Sequence, residues 1–122
     1  MIDTDLNRVF KPLFRGLPGV IGVVLFNNDG KPVYVNGRID ISVYEFGAKA
    51  AVCYAAAEHA GNLLDRELYA ILTEFNNLKI FQIKISQEYF LSVILKINDA
   101  YLGEIRRKLG RAVKDICRYY KV

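Results

Sequence analysis

The sequence predicts an α+β sandwich, a five-stranded antiparallel sheet with helices on both faces. Three observations carry that class: an apolar, β-branched run ending in an Asn-Asn-Asp-Gly turn, three consecutive strand-like segments joined by short turns, and helical periodicity before, between and after these strands. The element order is α-β-β-α-β-β-β-α, and no connection is long enough to demand a parallel crossover. At 122 residues the chain is expected to form one domain over 1–122. That length can bury roughly two thirds of the surface the unfolded form would expose.

In chain order, Asp3 or Thr4 can cap a short helix to about Phe14, with Leu6, Val9, Phe10, Leu13 and Phe14 on one face. Gly16 and Leu17-Pro18-Gly19 end it. Val20 to Phe26 is apolar without alternation, which marks a central strand covered on both faces, and Gly22 inside it predicts close approach by a helix. Asp29-Gly30 supplies the positive φ of a hairpin turn, and Pro32 places the second strand at an edge. Tyr69 to Phe75, Leu78 to Ile85 and Tyr89 to Ile97 then form a meander, turning at Asn76-Asn77 and at Ser86-Gln87-Glu88. In the last of these, Leu91, Val93, Leu95 and Ile97 make one wholly apolar face.

Asp40 or Ser42 can cap the helix between the two groups of strands, which runs VYEFGAKAAVCYAAAEHAGNLL from Val43 to Leu64 and ends near Gly61-Asn62. Phe46, Ala50, Tyr54, Ala57, Gly61 and Leu64 form the stripe expected on a core. The opposite side is apolar as well. It carries Ala48, Val52, Ala55, Ala56 and Leu63, interrupted by Glu45, Lys49 and His59. A helix apolar on both sides wants two partners, and the first and last helices are better used on the far face of the sheet. Small residues at Gly47, Ala48, Ala51, Ala55, Ala56 and Ala60 allow close approach of a second backbone, so Ala48, Val52, Ala55, Ala56, His59 and Leu63 are expected to form a two-fold seam with another copy.

A final helix over about 100–120 carries Leu102, Ile105, Leu109, Ala112, Val113, Ile116 and Tyr120 on its apolar stripe. The net charge of +4 resides there. From Glu104 onward seven bases face two acids, whereas the rest of the chain has ten bases and eleven acids. Arg107, Arg111, Lys114, Arg118 and Lys121 recur at steps of four and three, predicting a basic face beside the apolar one. It suits solubility, an acidic protein, a membrane surface or nucleic acid, for which Tyr119 and Tyr120 offer only weak stacking.

Catalytic and metal chemistry find little support. Cys53 and Cys117 fit no disulfide or zinc spacing and are expected to be buried thiols, His59 stands alone, and Ser42, Ser86 and Ser92 sit in no nucleophile motif. Gly16, Gly19 and Gly22 precede a strand where a phosphate loop would follow one, and Asp3, Asp5, Asp29, Asp65 and Glu67 fall at caps and turns. No cofactor and no metal are expected. Nothing is long enough to span a bilayer, and the N-terminus lacks the features of a secretory signal, which predicts a cytoplasmic protein.

The strings LPGVIGVVLFNNDGKPVYV, VYEFGAKAAVCYAAAEHA and EYFLSVILK followed by Leu102-Gly103-Glu104-Ile105 together resemble the Roadblock family, the dynein light chain and GTPase-regulator domain related to longin domains. The resemblance covers about Leu6 to Ile116. It implies a homodimer in which the central helices pair and the sheets can join through the strand after that helix. It also implies Ras-like small GTPases or larger scaffolds as partners and no nucleophile of its own. Glu45 and Lys49 beside the seam, and Arg38 in the loop before the long helix, are then the candidate partner-binding residues. Any acceleration of GTP hydrolysis would come from repositioning the GTPase's own groups, with an arginine supplied in trans, for which Arg38 is the candidate, as the rival mechanism. The strongly basic final helix departs from the family pattern. The alternatives are a ligand-sensing module of longin or profilin-like shape, for which nothing polar converges in the sequence, and a basic nucleic-acid-associated protein.

Overall fold

The structure, a computed structural model, describes residues 8, 10–11, 19–96 and 102–120. Strands β1 (Val20–Asn27), β2 (Pro32–Gly37), β3 (Ala70–Phe75), β4 (Leu78–Lys84) and β5 (Tyr89–Leu95) form one antiparallel sheet in the order β2-β1-β5-β4-β3. Helix α1 (Val43–Leu63) follows β2, and helix α2 (Leu102–Tyr120) follows β5. Arg8, Phe10 and Lys11 are helical. The rest of the expected first helix, with Leu6, Val9, Leu13 and Phe14, lies outside the described residues, as do Ile97 and Lys121.

Side chains of a strand alternate between faces, so the central strands feed two cores at once. Val23 and Leu25 of β1, with Leu91, Val93 and Leu95 of β5, meet Ile105, Leu109, Val113 and Ile116 of α2. Phe10 joins this side fully buried, its ring stacked on Tyr34 at 4.6 Å. From the other face Val24, Phe26 and Phe90 meet Ala50 and Tyr54 of α1. The unalternated run in β1 is thus explained: Val23 through Phe26 are all fully buried because both faces are covered. Pro32 lies on the outer strand, opposite Phe26, where the β1–β2 register shifts, as a residue without an N–H to offer the ladder requires.

Helix α1 starts at Ser42, whose hydroxyl accepts from the Glu45 N–H at 3.3 Å. It crosses the sheet from the hairpin end of β1 and β2 toward the end of β4. Gly47 sits against Gly30, the Tyr54 ring stacks on Phe90 at 4.6 Å, and Glu58 approaches Lys84. Gly30 has φ +84°, and a Cβ on Gly47 would lie 2.1 Å from the Gly30 carbonyl oxygen, so both positions need glycine for the helix to seat.

Three expectations are corrected. Gly22 is approached by the loop residue Ile39 rather than by a helix: a Cβ there would fall 2.7 Å from Ile39 Cγ1, because the loop before α1 folds over that end of β1. Leu64 does not reach the core. It caps α1 at 71% exposure, and Asp65 then turns the chain with φ 55°. Cys53 is exposed on α1, while Cys117 is half-buried and its Sγ–H donates to the Ile85 carbonyl at 3.3 Å. No described helix is long and apolar enough to cross a membrane.

Candidate interaction surface

The buried side of α1 is narrow. Only Gly47, Ala50 and Tyr54 are fully enclosed, and Val43, Phe46, Ala51, Ala57 and Gly61 are half-covered. At 100° per residue these positions share one side of the cylinder. The opposite side is open. Ala48, Val52, Ala55, Ala56, His59 and Leu63 are all exposed there, with Val52 at 70% and Leu63 at 89%. Exposure of an isolated leucine is unremarkable, but an aliphatic row along one helix face is the pattern of a surface that another molecule covers. Glu45 and Lys49 flank the row and face each other at 3.9 Å, an exposed pair of little energetic weight.

The edge strand β3 is open as well. Its last three residues are exposed, and Phe75 is 57% exposed. β3 pairs only with β4, so its outer backbone groups have no ladder partner among the described residues. Arg38 is not part of this surface. Its N–H donates to Ile21 O at 2.8 Å, near the start of β1, whereas the Gly30–Gly47 contact that seats α1 lies past the other end of that strand.

One assembly of side chains was not legible in the sequence. Glu58, His59 and Asn62 of α1, Asp65, Arg66 and Glu67 after it, Lys84 at the end of β4 and Gln87 line an open cleft of about 510 Å³. Lys84 Nζ lies 3.1 Å from Glu67 Oε1 and 4.0 Å from Glu58 Oε2. Polar side chains that the sequence leaves far apart therefore converge here, and Lys84, held between Glu67 and Glu58, fastens the end of α1 to the sheet. Below it the Tyr54 hydroxyl is buried with no hydrogen-bond partner among the described residues. Burial, with Glu58 and Glu67 nearby, pushes that phenol well above its ordinary value.

On the other face of the sheet, α2 exposes Arg107, Arg111, Lys114 and Arg118. Ile105, Leu109, Ala112, Val113 and Ile116 are buried. By the same angular spacing the bases lie opposite the buried stripe and not beside it, which corrects the sequence reading: the apolar stripe is centred between Ile105 and Val113, half a turn from the Arg107–Arg118 line. The α1 surface and the basic ridge are therefore on different sides of the molecule.

A long helix on one face of a five-stranded antiparallel sheet, with a second helix on the other face, is an α+β sandwich. Solved structures assign it more narrowly. The chain is similar to Myxococcus xanthus MglB at a TM-score of 0.86 and 19% identity, over 97% of this chain and 96% of that one. It is similar to a Roadblock/LC7 domain from Streptomyces avermitilis at 0.80 and 19%, over 95% and 98%. A structure described as MglB with tetrameric arrangement gives 0.80 and 13%, over 95% and 88%. The chain has the Roadblock/longin-like fold. No sequence-family model and no curated protein matches it.

Proposed function

We propose that these 122 residues act as one Roadblock-type domain, a cytoplasmic homodimeric interaction module that binds a Ras-like small GTPase or scaffolds a larger complex. The observation that carries the reading is the uncovered aliphatic face of α1. Val52 and Leu63 are the largest apolar side chains on it, and burying a side chain of that size contributes about 1.5–3 kcal/mol. Two such residues from each copy, with small residues between them that let the helix backbones approach, support a self-complementary contact. The tetrameric arrangement of the similar MglB structure is in keeping with self-association. The GTPase rests on the family resemblance, and its contact sites in this reading are Glu45 and Lys49 beside the seam.

Val52→Glu tests the seam. Placing a carboxylate where it would be enclosed is expected to turn dimers into monomers by light scattering at micromolar protein, and an unchanged dimer mass refutes the pairing. Single-turnover GTP hydrolysis by candidate GTPases, with and without this protein, tests the second part. Binding without acceleration assigns a scaffold role. Acceleration that survives Arg38→Ala excludes an arginine from that loop and favours repositioning of the GTPase's own groups.

A further inference from the structure

We infer that the outer ridge of α2 docks on an anionic lipid bilayer. Arg107, Arg111, Lys114 and Arg118 are exposed along one line, which spans roughly 17 Å at the rise of an α-helix. The charge does not serve the fold's own balance, since the residues before Glu104 sum to −1. Within α2 the two acids are engaged locally, Glu104 with Lys108 at 3.1 Å and Asp115 with Arg118 at 3.5 Å. Arg107, Arg111 and Lys114 form no ion pair among the described residues.

The composition of the ridge selects the occupant. Every exposed large hydrophobic side chain among the described residues lies between Ile21 and Phe75, and none is on the ridge from Arg107 to Arg118. A protein partner would need an aromatic or aliphatic anchor at the centre of its contact, which this surface does not offer. A layer of anionic headgroups needs only a level row of cations, and each one near such a surface strengthens binding by ~fivefold. The ridge also faces away from α1, so docking leaves the α1 surface accessible. If the sheets of a dimer join edge to edge, both ridges lie on one side; that doubling rests on the homodimer reading, whereas the ridge belongs to each chain.

The test is co-sedimentation of the full chain with phosphatidylcholine vesicles with and without phosphatidylglycerol, at low and high salt. Binding is expected only with phosphatidylglycerol, and loss at high salt. Arg107→Glu combined with Lys114→Glu is expected to weaken it by about 25-fold or more, with the helical circular dichroism retained. Lys31→Glu combined with Arg66→Glu, the same double reversal at exposed bases on the α1 side, is expected to leave most of it. Absence of binding at low salt, equal losses for the two faces, or tighter binding of a DNA duplex than of the vesicles at the same salt would each overturn the proposal. A wild-type chain that is monomeric by light scattering defeats the homodimer reading but leaves this comparison of variants intact.

Discussion

Gly47→Ala is the sharpest probe of how α1 is seated. In a free helix the exchange is favourable, because alanine exceeds glycine in helix propensity by about 1 kcal/mol. Here the new methyl would lie 2.1 Å from the Gly30 carbonyl oxygen and 2.6 Å from Phe26 Cε1. Neither neighbour gives way easily: Gly30 is turn backbone tied through its N–H to Asn27 O at 3.0 Å, and Phe26 is fully buried against Phe46 and Phe90. Helix α1 must therefore lift by about 1 Å, a gap that already forfeits a quarter to a half of each dispersion contact it opens. Overpacking of this kind costs up to about 3 kcal/mol, so after the propensity gain the net loss is about 2 kcal/mol. For a chain of this length that corresponds to roughly 8 °C in Tm. The assay is thermal and urea unfolding followed by circular dichroism at fixed protein concentration. Gly103→Ala serves as the control, since no atom lies within 4 Å of its Cβ position, and its Tm is expected to hold or rise. A Gly47→Ala protein as stable as the parent would refute the Gly30 contact as the seat of the helix.

Tyr54→Phe removes a buried hydroxyl that has no partner among the described residues while keeping the ring stack on Phe90, so it is expected to be neutral or to stabilise by about 1 kcal/mol in urea unfolding; a loss of that size would show that the hydroxyl is satisfied. The same phenol gives an alkaline signature. Its folded-state value is raised above the unfolded one near 10, so its contribution is intact below that pH and is lost as pH rises beyond it, where the unfolded chain ionises first; this part of the alkaline destabilisation should vanish in Tyr54→Phe. Cys53 is exposed, whereas burial pushes the Cys117 thiol up, so maleimide at neutral pH should label Cys53 faster in the folded protein and both alike in denaturant.

The strands were legible because their signals are local. An unalternated run, a proline and two short polar turns place β1 inside, β2 at an edge and β3 to β5 in a meander, and the structure differs only by a residue or two at strand ends. The apolar excess on α1 was legible for the same reason, since periodicity along one helix needs no knowledge of its neighbours. Contacts between distant segments were not. Ile39 over Gly22 depends on how a loop folds back, and Lys84 meets Glu58 and Glu67 only because α1 crosses the sheet toward β4. Leu64 continued the helical stripe in sequence, but the left-handed turn at Asp65 ends the helix before that position can face the sheet. The basic ridge was found in sequence and set at the wrong angle, because the buried stripe is centred between Ile105 and Val113, half a turn from the bases.

The strand order has a consequence for how the chain is made. β1 is flanked by β2, which follows it at once, and by β5, so that Asn27 pairs with Tyr89, 62 residues later. A ribosome releases the apolar β1–β2 hairpin well before the strand that completes its ladder has been synthesised. An isolated hairpin is barely stable, and closing the sheet must wait for a long-range pairing, the kind that slows folding toward milliseconds or seconds. During that interval Val23 through Phe26 are exposed to other nascent copies, so a pause introduced between the codons for α1 and β5 should lower the soluble yield even though the finished protein is unchanged.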